Sequence, residues 1–265
     1  MKRFIIILLA QVTIAAVLSV GVCSCGKDVS NDDTTSGDNT ACPAPGEGVD
    51  LGLSSGLLWA DRNVGASSPE DYGYYFAWGE TQTKSYYDWI TYRYVNDSLR
   101  NLFNNPYFND SLHNQLTKYC FDSSYGYNGF TDNLLILQPE DDPATVYWGD
   151  GWRTPTVGEW RELFVVTASN YNSERIRFTR TARNGVPGCL VTAPNGNSIF
   201  LPASGDLFRN MHLCVPNFGE YMSASLATEY NPDYAWRFEF GPQNVVVCYS
   251  DRTCGLPVRP VRSAR

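Results

Sequence analysis

Lysine and histidine are scarce in this chain of 265 residues, which contains 4 lysines and 2 histidines. The histidines, His113 and His212, have no metal-ligand spacing and suggest no catalytic triad. Charged residues make up only 18% of the chain, which excludes a disordered polyampholyte or a coiled coil. The formal net charge of −8 leaves no basic face for phosphates. We therefore expect no nucleic-acid partner, no metal and no cofactor.

Aromatic residues, by contrast, are abundant. They make up 14% of the chain, with 17 tyrosines, 13 phenylalanines and 7 tryptophans. A chain of this length can bury a substantial core without cross-links, in one large domain or two small ones. Composition therefore predicts an acidic, aromatic-rich globular protein and indicates no activity.

The first 24 residues have the pattern of a secretory signal peptide. A short basic start, residues 1–3, precedes a largely apolar run over residues 4–22. A membrane-spanning helix needs about 20 apolar residues, so length alone does not decide between a cleaved signal and an uncleaved anchor. The charged start and the polar chain beyond the run favour a cleaved signal.

The end of the apolar run resembles a bacterial lipoprotein box. Val22, Ser24 and Cys25 supply the aliphatic residue, the small residue and the cysteine that would be acylated. Cys23 fits poorly, because the bulky Val22 would occupy the small-residue position. Cys25 is therefore the predicted lipid attachment site. The resemblance implies a lipid anchor, and we expect the protein in a Gram-negative outer membrane, either on the cell surface or facing the periplasm.

Residues 25–48 are predicted to be a disordered tether, and residues 49–265 a single domain. The tether contains no aromatic residue, so little offsets the entropy of ordering it. Its acidic residues Asp28, Asp32 and Asp33 fit a surface-export signal and a solvated linker equally well.

The domain is predicted to be α+β, with few helices and many short strands. A Ser-Ser-Gly turn at residues 54–56 favours a hairpin, and two capped helical segments are expected within residues 96–118. The clearest helix follows Thr156, which forms a capping box with Glu159. Residues 194–197 predict a turn between two strands, and further strands are expected at residues 177–180, 234–240, 244–249 and 258–261.

Several segments of the domain, in order, resemble the Fibrobacter succinogenes major paralogous domain family. The family's members are typically secreted or lipid-anchored, and the resemblance implies no assigned activity. The main segments are Val49-Asp-Leu-Gly-Leu-Ser54, Tyr75-Phe-Ala-Trp-Gly-Glu80, Leu116-Thr-Lys-Tyr-Cys120, Gly151-Trp-Arg-Thr-Pro-Thr-Val-Gly-Glu-Trp160, Pro194-Asn-Gly-Asn-Ser-Ile-Phe-Leu-Pro202 and Val258-Arg-Pro-Val261.

A wider similarity connects residues 152–160 and 258–261 with the sulfatase-modifying-factor group. It implies a C-type-lectin-like fold in which the helix after Thr156 packs on the sheet and the terminal strands pair. Cys248 and Cys254 are also similar to the cysteine pair of formylglycine-generating enzymes, but five residues separate them instead of four. A disulfide between them is the simpler interpretation for an exported protein, and we expect no enzymatic activity.

The acidic run of residues 140–142 has two interpretations. Carboxylates at this spacing suit calcium binding or acid–base chemistry. Acidic residues at the start of a short helix around Ala144 are the more ordinary explanation, because they interact favourably with the helix dipole.

The aromatic residues provide the remaining functional indication, since exposed Tyr and Trp rings bind sugars and protein partners. Trp78, Trp152, Trp160 and Trp236 are expected in the core. The predicted ligand-binding residues are Tyr249, Ser250, Asp251 and Arg252, together with the loop 206–222. The sequence thus predicts a lectin-like domain for glycan or protein ligands. A structural or adhesin subunit of a surface assembly is the alternative, and an enzyme of the formylglycine-generating type ranks last.

Overall fold

Short antiparallel strands in small sheets, with few helices, form the structure. The computed structural model describes residues 42–97, 114–149, 151–163 and 176–264. This architecture is compatible with the predicted α+β class. The predicted signal peptide, Cys25, most of the predicted tether and most of the predicted helical segment 96–118 lie outside the described residues.

Thirteen strands are seen in the described ranges. They are β1 (Gly48–Asp50), β2 (Leu57–Ala60), β3 (Tyr75–Phe76), β4 (Arg177–Arg183), β5 (Val186–Thr192), β6 (Ser198–Pro202), β7 (Asp206–Phe208), β8 (Met211–Leu213), β9 (Gly219–Leu226), β10 (Tyr234–Phe240), β11 (Val245–Asp251), β12 (Leu256–Pro257) and β13 (Val261–Ser263). The helices are α1 (Pro143–Trp148), α2 (Val157–Glu162) and the 3-10 turns Trp89–Thr91, Tyr127–Gly129 and Pro139–Asp141.

The strands pair into antiparallel sheets, whose orders are β1-β2-β13, β3-β12, β4-β5-β6, β7-β8 and β9-β10-β11. The predicted hairpin around residues 54–56 is confirmed by the pairing of β1 with β2. The predicted turn at residues 194–197 is confirmed between β5 and β6. The terminal strands pair as expected, with Val261 opposite Trp59.

The helix after Thr156 forms as its capping box predicts. The Thr156 hydroxyl accepts a hydrogen bond from the Glu159 amide, and the Glu159 carboxylate accepts one from the Thr156 amide at 2.7 Å. Both exchanges satisfy amides that a helix start leaves without partners. Trp160, on the inner face of this helix, is fully buried and stacks on Phe238 at 4.5 Å between ring centroids.

Two clusters of buried side chains form the core. One surrounds Trp160 and includes Trp59, Tyr221, Phe238 and Phe240. The other is rich in tyrosine and tryptophan and includes Trp78, Tyr92, Tyr119, Trp148 and Trp152. Trp78, Trp152 and Trp160 are buried, as predicted.

Contacts with the folded body begin before residue 49. Cys42 packs against the tyrosine-rich cluster, and Glu47 exchanges hydrogen bonds with Asp61. By its contacts, Ala41–Arg265 forms one unit. This brings the last residues of the predicted tether into contact with the domain.

Candidate functional site

Four aromatic side chains share the surface at one end of the β9-β10-β11 sheet. Tyr234 and Trp236 lie on one face of β10, and Tyr249 of β11 lies opposite Trp236 in the register. Tyr230 comes from the turn between β9 and β10. We call these four residues the aromatic patch.

The rings of the aromatic patch contact one another closely. The centroid of Tyr249 lies 3.9 Å from that of Tyr230, 5.2 Å from that of Tyr234 and 6.2 Å from that of Trp236. Tyr230 is 44% exposed and Tyr249 is 38% exposed, whereas Tyr234 and Trp236 are half-buried. A hydrogen bond with Tyr249 raises the pKa of Tyr230. The patch is therefore a connected aromatic surface open to solvent.

The helix α2 packs on the face of β10 that also carries Trp236. Alternate residues of β10 share a face, so Trp236 lies on the same face as Phe238 and Phe240. Trp160 of α2 covers Phe238, and both phenylalanines are buried. Arg161 of the same helix lies over Trp236, with its guanidinium carbon 4.8 Å from the indole centroid. The sheet face that carries the buried Phe238 and Phe240 thus continues to Trp236, which is half-buried.

This arrangement suits the binding of flat or weakly polar surfaces. Tyrosine and tryptophan offer large apolar ring faces with polar groups at the edge. A guanidinium beside them adds charged donors. The same features serve for stacking on sugar rings and for anchoring a protein partner.

The four predicted ligand-binding residues differ in their exposure to solvent. Tyr249 lies in the patch, and Ser250 and Asp251 are half-buried beside it. The prediction for Arg252 is wrong, because its side chain is 1% exposed and donates hydrogen bonds to the Tyr92 hydroxyl and to backbone carbonyls. Arg252 therefore holds the core together and is not accessible to a ligand.

Three members of the patch were not predicted as site residues, namely Tyr230, Tyr234 and Trp236. The core assignment of Trp236 needs correction, since this side chain is half-buried at the edge of the patch. The run of alternating aromatics from Tyr234 to Phe240 is longer than one short helix can cover. That length is the sequence signal that could have placed its first members at the surface.

The opposite face of the same sheet is polar. Arg237 contacts Glu220 and, at 2.7 Å, Glu239. Burial raises the pKa of Glu220 to about 7, although Arg237 opposes this shift. Cys248 lies directly across from Arg237, with 3.4 Å between its Sγ and the arginine Nε. The predicted Cys248–Cys254 disulfide is not formed, because Cys248 is directed at Arg237 and Glu239 and both thiols are free.

The acidic run at residues 140–142 begins a helix, in agreement with the second interpretation of the sequence. Asp142 is the N-cap of α1, where it accepts from the Ala144 amide at 2.9 Å and also from Thr154. Burial raises the pKa of Asp142. Asp141 accepts hydrogen bonds from two tyrosines and a lysine. Asp141 and Asp142 are thus engaged with donors of the protein itself.

A pocket of about 180 Å³ lies at the other end of the sheet. Its wall includes Phe178, Arg180 and Cys189 and the turn of residues 241–244. The aromatic patch is not part of this wall. The pocket and the patch are therefore separate features.

Comparison of the chain with protein-family models, with curated proteins and with solved structures found no match. Among the described residues, no helix has both the length and the apolar character needed to span a bilayer.

Proposed function

We propose that this chain is a lipid-anchored protein of the outer membrane whose folded domain binds glycans through the aromatic patch. The observation that carries the proposal is the contact of four aromatic rings at a solvent-exposed sheet end. Exposed apolar patches often mark binding sites, and a sugar ring stacked on the patch would cover Tyr230 and Tyr249. The proposal includes no catalytic step.

We further propose that the domain has the C-type-lectin-like fold and belongs to the family that its motifs resemble. Two features support this. The strands at the two ends of the domain, β2 and β13, pair with each other. The helix that begins after Thr156 packs on the β9-β10-β11 sheet through Trp160. Both arrangements are those that the resemblance implies.

Replacing Tyr249 by alanine is expected to weaken glycan binding roughly tenfold. The change removes the ring that contacts the other three members of the patch, and one aromatic contact contributes about 0.5–1.5 kcal/mol beyond the area it buries. The measurement is binding of the full chain, in mild detergent, to a broad glycan array, followed by titration of the best ligand.

Tyr127→Ala is the matched control, because Tyr127 is 39% exposed and lies outside the patch. It should leave the affinity unchanged. An equal loss in both variants, or a folded wild-type chain that binds no glycan, would contradict the proposal. Capture of a defined envelope protein that depends on Tyr249 would instead favour the adhesin-subunit alternative.

The lipid anchor gives a separate prediction. Cys25→Ala should move the protein from the membrane fraction to the soluble fraction and abolish its labelling with palmitate, because acyl chains would provide the attachment. Cys23→Ala is the control, since residue 23 would be removed with the signal peptide. Membrane association that persists in Cys25→Ala would show that the anchor is of another kind.

A further inference from the structure

A second group of side chains lies on the polar face of the β9-β10-β11 sheet, away from the aromatic patch. Asp206 begins β7, Cys214 follows β8, and Glu220 lies in β9. One oxygen of each carboxylate and the Sγ atom of Cys214 lie within 4.8 Å of one another. We call these three residues the Asp206–Cys214–Glu220 cluster.

A second observation, at Asp206, concerns an unsatisfied buried oxygen in the cluster. This side chain is 7% exposed, and its Oδ1 atom is buried without a hydrogen-bond partner. A buried carboxylate oxygen in that condition is unfavourable, because it has lost water and gained nothing in return. Buried carboxylates are normally paired with a cation or coordinate a metal.

The charges around the cluster point to a cation. Glu220 and Glu239 both contact the single guanidinium of Arg237. One guanidinium is therefore shared by two carboxylates, and Asp206 adds a third carboxylate to this group. A bound divalent cation would supply the carboxylates with a second positive partner beside Arg237.

We propose that the Asp206–Cys214–Glu220 cluster is a zinc-binding site. A thiolate with two carboxylates is a donor set that zinc accepts and that magnesium and calcium, which take oxygen ligands, do not. Zinc lies about 2.3 Å from sulfur and about 2.0–2.2 Å from oxygen, so each pair of donors needs to approach by at most about 1.5 Å. Cys214 is exposed, which gives the ion a path into the site.

The bonding changes on zinc binding are simple. The Cys214 thiol hydrogen-bonds to Glu220, and its proton leaves to solvent as the Zn–S bond forms. Arg237 keeps its contact with Oε2 of Glu220 and orients that carboxylate. Three protein ligands leave the fourth tetrahedral position to water.

The test is a cobalt titration of the full chain in mild detergent with a phosphine reductant. Cobalt(II) replaces zinc in such sites and gives a thiolate-to-metal absorption band. We expect one equivalent of cobalt to produce the band and zinc to abolish it by displacement. Cys214→Ser should lose the band, and Glu220→Gln and Asp206→Asn should weaken zinc binding at least tenfold.

Cys42→Ser is the matched control, because this thiol packs against the tyrosine-rich core and is not a member of the cluster. It should retain the band at full intensity. The absence of a band in the folded wild-type chain, or a band that survives Cys214→Ser, would overturn the proposal. So would zinc affinity that is unchanged in Asp206→Asn, a variant that keeps the side-chain volume and removes only the charge.

Discussion

Replacing Arg252 by methionine is expected to lower the free energy of unfolding by about 3–5 kcal/mol. The guanidinium donates to the Tyr92 hydroxyl at 2.7 Å and to the carbonyls of Pro232, Tyr119 and Lys118 at 2.9, 3.0 and 3.1 Å. Methionine fills much of the volume of the arginine side chain but donates no hydrogen bond. Each buried acceptor left without a donor costs about 1–3 kcal/mol, so two of the four acceptors left without a donor already account for an effect of this size.

Urea unfolding followed by tryptophan fluorescence measures this change. Arg183→Met is the control, because the Arg183 side chain is 50% exposed and pairs with Glu70 at 3.3 Å; it should change stability by less than about 1 kcal/mol. Arg252→Lys should give an intermediate loss, since one ammonium cannot reach every acceptor. A midpoint for Arg252→Met equal to that of the wild type would show that these hydrogen bonds contribute little.

The local elements of this fold could be predicted from the sequence because their determinants are close together in the chain. The capping box needs only Thr156 and Glu159, and the turn at residues 194–197 needs only its own residues. Asp142 likewise accepts a hydrogen bond from the amide of Ala144, two residues further along the chain. In each case the interacting groups lie within four positions of each other in the sequence. The residue pattern and the chemistry of the side chains are therefore enough to predict the local structure.

The burial of Arg252 could not be predicted, because it depends on distant parts of the chain. Three of its four acceptors belong to residues 133 to 160 positions away. Its neighbours Ser250 and Asp251 are polar, which is typical of an exposed loop. Tyr249, by contrast, is exposed as predicted, and its position opposite the half-buried Trp236 depends on the pairing of β10 with β11.

The second large effect concerns Asp141, which joins three donors from distant segments. Its Oδ1 accepts from the Tyr94 hydroxyl, and its Oδ2 accepts from the Tyr119 hydroxyl at 2.6 Å and from the Lys118 ammonium. The residue is 2% exposed. Burial opposes its ionisation, but the hydrogen bonds from Lys118, Tyr119 and Tyr94 outweigh burial and hold the pKa of Asp141 below its ordinary value.

Asp141→Asn is expected to lower the free energy of unfolding by about 2–4 kcal/mol near neutral pH. The asparagine side chain has one oxygen where the carboxylate has two. Its NH₂ group must therefore take the place of an acceptor and face a hydrogen-bond donor. Because the pKa of Asp141 is lower in the folded state, its ionised form stabilises the fold fully above the ordinary pKa of about 4. That stabilisation is lost as the pH falls through the lowered pKa. The difference between wild type and variant should therefore shrink as the pH falls below the ordinary pKa of about 4.

Glu140→Gln is the control for the Asp141 prediction, because Glu140 is the preceding residue and contacts the same lysine. Its side chain is 67% exposed, and 3.5 Å separate its Oε1 from the Lys118 Nζ. An exposed pair of this kind contributes about 0–1 kcal/mol, so the variant should resemble the wild type at both pH values. Urea unfolding at neutral and acidic pH compares the three proteins. If the loss in Asp141→Asn did not depend on pH, the ionised carboxylate would not be its origin, and lost packing would remain as the cause.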